Sequence, residues 1–293
     1  MKNRLRIVIQ KKGRLAQESI TLLRNCGLKF RIKENALLTH VENLPIDLLF
    51  VRDDDIPTLL FDGLCDLGIV GENVLLEAAL RSPNKRYMSI LPLGNCRCRL
   101  AIAVPESFDY QGPASLEGKR IATSYPLLLA QYLNQNTISA ESLVLSGSVE
   151  VAPRMGMADV ICDLVSSGQT LEDNKLIEVE TVLESQAVFI QAVHVMTPEQ
   201  QELITTLSRR IRAVQHAEER KYILFHAPVS ALERICERLP GAESPTIMAL
   251  PAHPDKVAVH VVSSEGIFWN TLETIQALGA SSILVLPIEK MLE

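Results

Sequence analysis

Residues Gly147 to Leu171, GSVEVAPRMGMADVICDLVSSGQTL, decide how the chain is read. Gly147-Ser148 makes a short turn, a helix-capable segment closes at Gly156, and Val160 to Val165 is an apolar strand. The loop Ser166-Ser167-Gly168-Gln169-Thr170 follows, with a helix expected to start at Leu171 and run to Asn174. A strand, a turn rich in hydroxyls and glycine, and then a helix start is the arrangement a phosphate needs. Gly168 permits close backbone approach, consecutive N–H groups can converge on one anion, and Ser166, Ser167 and Thr170 add hydroxyl donors. A helix end alone contributes only about 0.3–1 kcal/mol, so amides and hydroxyls together would carry the binding. Glu150 and Asp163 bracket the segment and can accept hydrogen bonds from sugar hydroxyls. Phosphate plus diol points to a phosphorylated ribose. A plain connecting turn is the other meaning of such a loop.

Outward from this stretch, 293 residues suffice for a large core and two or three domains. Hydrophobic residues at 47% and charged residues at 22% describe an ordinary soluble globular protein. A net charge of -6 argues against nonspecific binding to nucleic acid or a membrane surface, both anionic. Local basic residues must therefore handle phosphates. The apolar run Ile7 to Ile9 is too short for a signal sequence or a membrane span, and a cytoplasmic location is expected. The six cysteines are scattered, as buried, reduced thiols would be. Only Cys96 and Cys98 lie close together, and no histidine or second pair accompanies them as further metal ligands.

Leu5 to Gln10 reads as a strand running into Lys11-Lys12-Gly13-Arg14, before an apolar-periodic helix that Gly27 can end. These cations lie at the carboxyl end of a strand, where open α/β sheets bind ligands. A solvated turn is the alternative. Pro45 to Arg52 is a second strand, followed by Asp53-Asp54-Asp55 and a helix expected over Thr58 to Leu64. The three acids could bind a divalent ion or cap that helix, with Pro57 in its first turn. Arg52 is a fixed cation at a strand end. Asp66 to Gly71, DLGIVG, is similar to segments of two-lobed solute-binding folds, where a strand delivers a glycine to the cleft. Arg97 to Val104 forms another strand, and Pro105 marks the crossover into a second lobe. That lobe holds the strand Lys119 to Ser124, a helix from Pro126 to Asn134 with Ser124 as its favoured cap, and the strand Leu143 to Leu145. Ser124 and Tyr125 facing the cleft is the other possibility.

The runs Lys175 to Thr181 and Ala187 to Val195 return the chain to the first lobe. Thr197-Pro198-Glu199-Gln200 then reads as a capping box that opens a helix. The last third reads βαββαβ, the ferredoxin-like plan. Its elements are Lys221 to His226, Val229 to Leu239, Thr246 to Leu250, Lys256 to Val262, Glu265 to Leu278 and Ser281 to Pro287. The fold class is therefore α/β, with a two-lobed body of the type II periplasmic-binding-protein kind and a C-terminal ferredoxin-like (ACT-like) domain. Expected boundaries are 1–104 with 182–220 for lobe I, 105–181 for lobe II and 221–293 for the tail.

The spacing Glu150, Gly156, Ala158, Ile161, Asp163-Leu164 and Ser167-Gly168-Gln169-Thr170-Leu171 resembles the signature of the ATP phosphoribosyltransferases of histidine biosynthesis. The similarity extends from Leu5 to Pro287-Ile288-Glu289-Lys290 and so resembles the long form of that family. Arg120 and Ser124-Tyr125-Pro126 match as well. The resemblance implies transfer of a phosphoribosyl group from phosphoribosyl pyrophosphate to N1 of ATP, with Mg²⁺ as cofactor. It implies that Lys11, Gly13 and Arg14 contact the pyrophosphate or triphosphate; Arg52, as a cation at a strand end, would face it with them from the lobe opposite the phosphate turn. It further implies a histidine-inhibited hexamer built from dimers, with Ser244 and Thr246, in Glu243-Ser244-Pro245-Thr246, at the effector site. A turn before a strand is the other meaning of those two residues.

The chain has no G-x-S-x-G elbow, H-E-x-x-H, Walker loop or G-x-G-x-x-G, and its six histidines lie far apart. Covalent and zinc-based catalysis are disfavoured, leaving positioning and electrostatics. Two other classes share the two-lobed pattern. A periplasmic binding protein or regulator effector domain would carry a signal sequence or a DNA-binding helix-turn-helix, and neither is expected here. A purely regulatory subunit would differ by showing no turnover.

Overall fold

The computed structural model describes residues 4–239, 241, 244–264 and 268–292. The chain divides into two compact units after Leu203. The first begins with β1 (Leu5–Gln10), α1 (Arg14–Asn25), β2 (Leu38–His40), β3 (Ile46–Val51), α2 (Asp55–Phe61) and β4 (Leu67–Gly71). Next come α3 (Glu72–Arg81), β5 (Tyr87–Pro92), β6 (Cys98–Pro105), β7 (Arg120–Thr123), α4 (Pro126–Gln135) and β8 (Glu141–Val144). It continues through β9 (Val160–Val165), α5 (Gln169–Asp173), β10 (Leu176–Ser185) and β11 (Ala187–Ala192) to α6 (Pro198–Glu218), within which the unit boundary falls.

These strands form two sheets, one of six in the order β2-β3-β1-β4-β11-β5 and one of five in the order β10-β6-β9-β7-β8. In the first, β1 lies parallel to β3 and β4, as expected for apolar runs buried on both faces. Leu5, Ile7, Val8 and Ile9 of β1 are all buried. In the second, β7 is parallel to both β8 and β9. Each sheet therefore gathers the carboxyl ends of three parallel strands on one edge, where ligands bind.

The sheets are joined at residues 93–97 and at Gln186. There Leu93 N–H donates to Ala187 O (2.8 Å), Ala187 N–H to Asn95 O (3.1 Å) and Gly94 N–H to the Gln186 side chain (3.1 Å). Because β6 and β10 pair over their lengths in the second sheet, the sheet change falls at these points rather than at 104/105 and 181/182.

Several boundaries differ from expectation. α2 starts at Asp55, three residues early, and Asp54 at its cap position makes no side-chain capping bond. Residues 149–151 form a single 3-10 turn rather than a longer helical segment. Elements β2, α3 and β5 were not anticipated. Thr197 and Gln200 do form the reciprocal capping box, at 3.0 and 3.3 Å.

The second unit contains β12 (Arg220–Pro228), α7 (Leu232–Arg238), β13 (Thr246–Ala249), β14 (Lys256–Ser264), α8 (Phe268–Ala277) and β15 (Ser281–Pro287). Its sheet runs β13-β14-β12-β15, every pair antiparallel, which is the ferredoxin-like order. Ile223, Phe225, Val259 and Val261 pack with Ile235 of α7 and Ile275 of α8. The expected helix start at 265–267 lies outside the described residues, as does Glu243.

Candidate active site

The turn after β9 is built by one backbone choice. Gly168 adopts φ 86°, a left-handed conformation that strains any residue with a Cβ. The resulting reversal lets its carbonyl accept Leu171 N–H (3.0 Å) and Glu172 N–H (3.1 Å), so α5 starts at Gln169, two residues before the expected Leu171. Among the described residues, no acceptor takes the amides of Ser167, Gly168 or Thr170. Gln169 N–H reaches Ser167 Oγ only at 3.5 Å, and a Cβ built on Gly168 would meet nothing within 4 Å. The turn thus offers open amides and the exposed hydroxyls of Ser167 and Thr170, with Ser166 Oγ taken up by Arg14. Gln169 itself is turned away, its amide nitrogen donating to Asp173 Oδ1 at 3.0 Å.

The acids sit beside the turn. Asp163, on β9, is held by Leu164 N–H donating to its Oδ1 (2.8 Å). Burial, and secondarily the Glu150 carboxylate, push its pKa above the usual 3.8. The Glu150 and Asp163 carboxylates feel one another, and such a pair can accept hydrogen bonds from vicinal hydroxyls.

Across from this turn stand the cations of the first sheet. Gly13, with φ 97°, precedes Arg14 at the start of α1. Arg14 Nη1 donates to Ser166 Oγ at 3.0 Å and its Nη2 to Arg97 O at 3.2 Å. The two sheets' site residues are thereby brought together. Lys11 N–H donates to Val51 O (2.7 Å), tying the loop after β1 to the end of β3. Gln10, Lys11, Lys12, Val51, Arg52 and Asp53 line a cavity of about 450 Å³. Cations from two strand ends thus share one hollow.

Of the acidic trio, Asp54 has its pKa raised by partial burial and then by Asp53 and Asp55. With Asp53 it lines a second cavity of about 420 Å³ with Arg81, Ser124 and Tyr125. No group of three or more His, Cys, Asp or Glu side chains forms a metal cage among the described residues. Ser124 is not the cap of α4. Its hydroxyl donates to Leu145 O at 2.8 Å, and α4 has no side-chain cap at its preceding residue. Tyr125 is half-buried; desolvation, and then Asp53, Asp163 and Asp54, push its hydroxyl pKa up, and that hydroxyl accepts from Asn73 Nδ2 at 2.9 Å. Burial pushes the Cys96 and Cys98 thiols up, with Arg14 pulling each partly back, so neither is a ready nucleophile.

Asn73, Glu77 and Arg97 escaped the sequence reading. The signal for the first two was two polar residues four apart within an otherwise apolar helical run. In the second unit, Ser244 and Thr246 are exposed, and Thr246 pairs with His260 across β13 and β14.

A two-lobed α/β protein whose glycine turn after β9 is joined by Arg14 to the other sheet is the class this geometry defines. The sequence-family model for ATP phosphoribosyltransferase matches residues 52–213, and that for the HisG C-terminal domain matches residues 217–290. The chain belongs to the ATP phosphoribosyltransferase family. Among solved structures it is similar to the ATP phosphoribosyl transferase (HisG:HisZ) complex from Thermotoga maritima. That match has 26% identity over 71% of this chain and 98% of that chain, with a TM-score of 0.59. The alkanesulfonate-binding protein SsuA from Xanthomonas axonopodis pv. citri, bound to MOPS, matches at 21% identity over 71% and 72% of the chains, with a TM-score of 0.45. No helix among the described residues is long and apolar enough to cross a membrane.

Proposed function

We propose that this chain transfers the 5-phosphoribosyl group of phosphoribosyl pyrophosphate to N1 of ATP, forming 1-(5-phosphoribosyl)-ATP, the first step of histidine biosynthesis. The observation that carries this is the open turn Ser166–Thr170 facing Arg14 from the other sheet. In the reaction a C–N bond forms at the anomeric carbon while the C–O bond to pyrophosphate breaks, the leaving group keeping the electron pair. Such a centre needs positioning and charge neutralisation, and no protein nucleophile.

The turn amides and the Ser166, Ser167 and Thr170 hydroxyls grip the 5-phosphate, with Gly168 as the pivot. Glu150 and Asp163 receive the ribose diol. Lys11, Arg14 and Arg52 face the pyrophosphate or triphosphate, and Gly13 lets the backbone approach. Mg²⁺ is commonly held by one or two carboxylates together with substrate phosphates. The pair Glu150–Asp163 would hold it, and bound there it would neutralise charge on the departing pyrophosphate.

The tail belongs to the same reading. The Thermotoga maritima protein is a complex of two components, whereas this chain carries its own C-terminal domain. We therefore place histidine feedback inhibition in that domain, with Ser244 and Thr246 as contacts. Exposed Ile247, Met248, Leu284 and Leu286 supply apolar surface for assembly into a hexamer built from dimers. Incubating the protein with ATP, Mg²⁺ and phosphoribosyl pyrophosphate and following the adduct's absorbance tests the reaction. Turnover is expected, and its absence would leave a ligand-binding or regulatory protein.

A further inference from the structure

The interface of α3 with α4 holds a polar cluster that the proposed chemistry does not use. Glu77 of α3 is 5% exposed, and its two carboxylate oxygens accept Leu127 N–H (3.0 Å) and Leu128 N–H (2.9 Å) at the start of α4. Pro126 has no N–H, and that of Leu129 goes to Tyr125 O at 3.0 Å. Every amide in the first turn of α4 is thus satisfied, two of them by one side chain from the other sheet's lobe.

One turn earlier on the same face of α3 lies Asn73, 3% exposed. Its backbone N–H donates to Ser185 Oγ (3.1 Å), and that hydroxyl donates back to Asn73 Oδ1 (2.9 Å). Its Nδ2 donates to Tyr125 Oη at 2.9 Å. Ser185 is the last residue of β10, directly before the Gln186 crossover. Arg81 Nη2 stands 3.9 Å from Glu77 Oε1.

A helix is usually capped by its own preceding residue. Here that residue, Tyr125, makes no side-chain capping bond, and the hydroxyl of Ser124 before it goes to Leu145 O. A local cap would let the lobes move apart without disturbing α4. A cap supplied from α3 makes the two helices one body at this point, because parting them breaks two charge-assisted hydrogen bonds at once.

We propose that Glu77, with Asn73, is a positioning residue that fixes the pivot on which the lobe carrying the Ser166–Thr170 turn meets the lobe carrying Arg14. It acts through α4 and Tyr125 and touches no reacting atom. The inference rests on the phosphoribosyl-transfer reading, since register between the two halves matters only if both grip one substrate.

The test uses the full chain with Glu77→Ala, Glu77→Gln and Tyr125→Phe, each shown to be folded at the assay temperature by circular dichroism. Hydrogen exchange of the 125–135 segment reports the cap. Steady-state kinetics with ATP and phosphoribosyl pyrophosphate report the register. Glu77→Ala should speed exchange and lower kcat by roughly 10- to 100-fold, the scale of a small misplacement of reacting groups. The Michaelis constant for the sugar pyrophosphate should change less than about threefold, because the turn itself is intact. Glu77→Gln, which keeps an acceptor, should recover part of kcat. Should Glu77→Ala not fold, Tyr125→Phe carries the test, with a smaller kcat loss expected and the Michaelis constant again preserved. A folded Glu77→Ala with faster exchange but wild-type kcat would overturn the proposal, as would an unchanged kcat in Tyr125→Phe when it stands alone. Absence of turnover in the wild type would instead defeat the functional reading, and this inference with it.

Discussion

Arg14 and Ser166, 152 residues apart, meet through a 3.0 Å hydrogen bond from the guanidinium to the hydroxyl. One stands at the start of α1, just after β1 of the six-stranded sheet, the other at the turn after β9 of the five-stranded sheet. The same guanidinium holds Arg97 O at 3.2 Å, on the segment that crosses between the sheets. A single cation therefore touches the proposed phosphate turn and the crossover at once.

Replacing Arg14 by Ala should remove a charge-assisted contact of about 1.5–3 kcal/mol, lowering kcat/KM for the sugar pyrophosphate roughly 10- to 150-fold. Arg14→Lys should recover little, since an ammonium cannot reproduce the planar fork that spans two acceptors. Initial-rate kinetics at varied sugar pyrophosphate concentration check both. Equal rates for wild type and Arg14→Ala would remove Arg14 from the site.

Gly168→Val places a Cβ at φ 86°, costing about 1–2 kcal/mol for the left-handed conformation. The space around the position is open, so the loss comes from backbone rearrangement rather than collision. The Michaelis constant for phosphoribosyl pyrophosphate should rise at least tenfold, while the thermal midpoint moves by only a few degrees. An unchanged Michaelis constant in a folded variant would place the phosphate elsewhere.

Asp163 has a folded pKa above its unfolded value of 3.8, through burial and then Glu150. The folded state therefore binds this proton more tightly. The associated stability is present below pH 3.8 and is lost as pH rises through the folded pKa. Asp163→Asn, which keeps an acceptor for Leu164 N–H, should be more stable than wild type at neutral pH and much less active. Thermal midpoints across pH 4–8, a range of about four units chosen to bracket carboxylate titration, would show the two proteins converging toward acid. A parallel offset at every pH would refute this account.

Removing the residues after Lys221 should abolish inhibition by histidine, read as initial rates with and without the amino acid. Thr246→Ala in the full chain should weaken it without altering uninhibited turnover. Inhibition surviving in an active truncated protein would put the effector site in the two-lobed body.

What the sequence by itself determined is the set of features built by neighbours in the chain. Strands Leu5–Gln10 and Val160–Val165 fall where their apolar runs placed them, and the Thr197–Gln200 box closes as its residue types require. The βαββαβ order of the tail and the glycine-driven turn after β9 were legible for the same reason, since propensity, periodicity and turn chemistry act over a few residues. Only the tertiary structure decided who meets whom. It made Arg14 and Ser166 neighbours, took Ser124 away to Leu145 O and capped α4 with Glu77, 50 residues back in the chain. It also left the Asp53–Asp55 run without a side-chain cap for α2. A buried amide takes whichever acceptor the packed sheets bring within about 3 Å, and that distance is set by the whole fold rather than by the residues beside it.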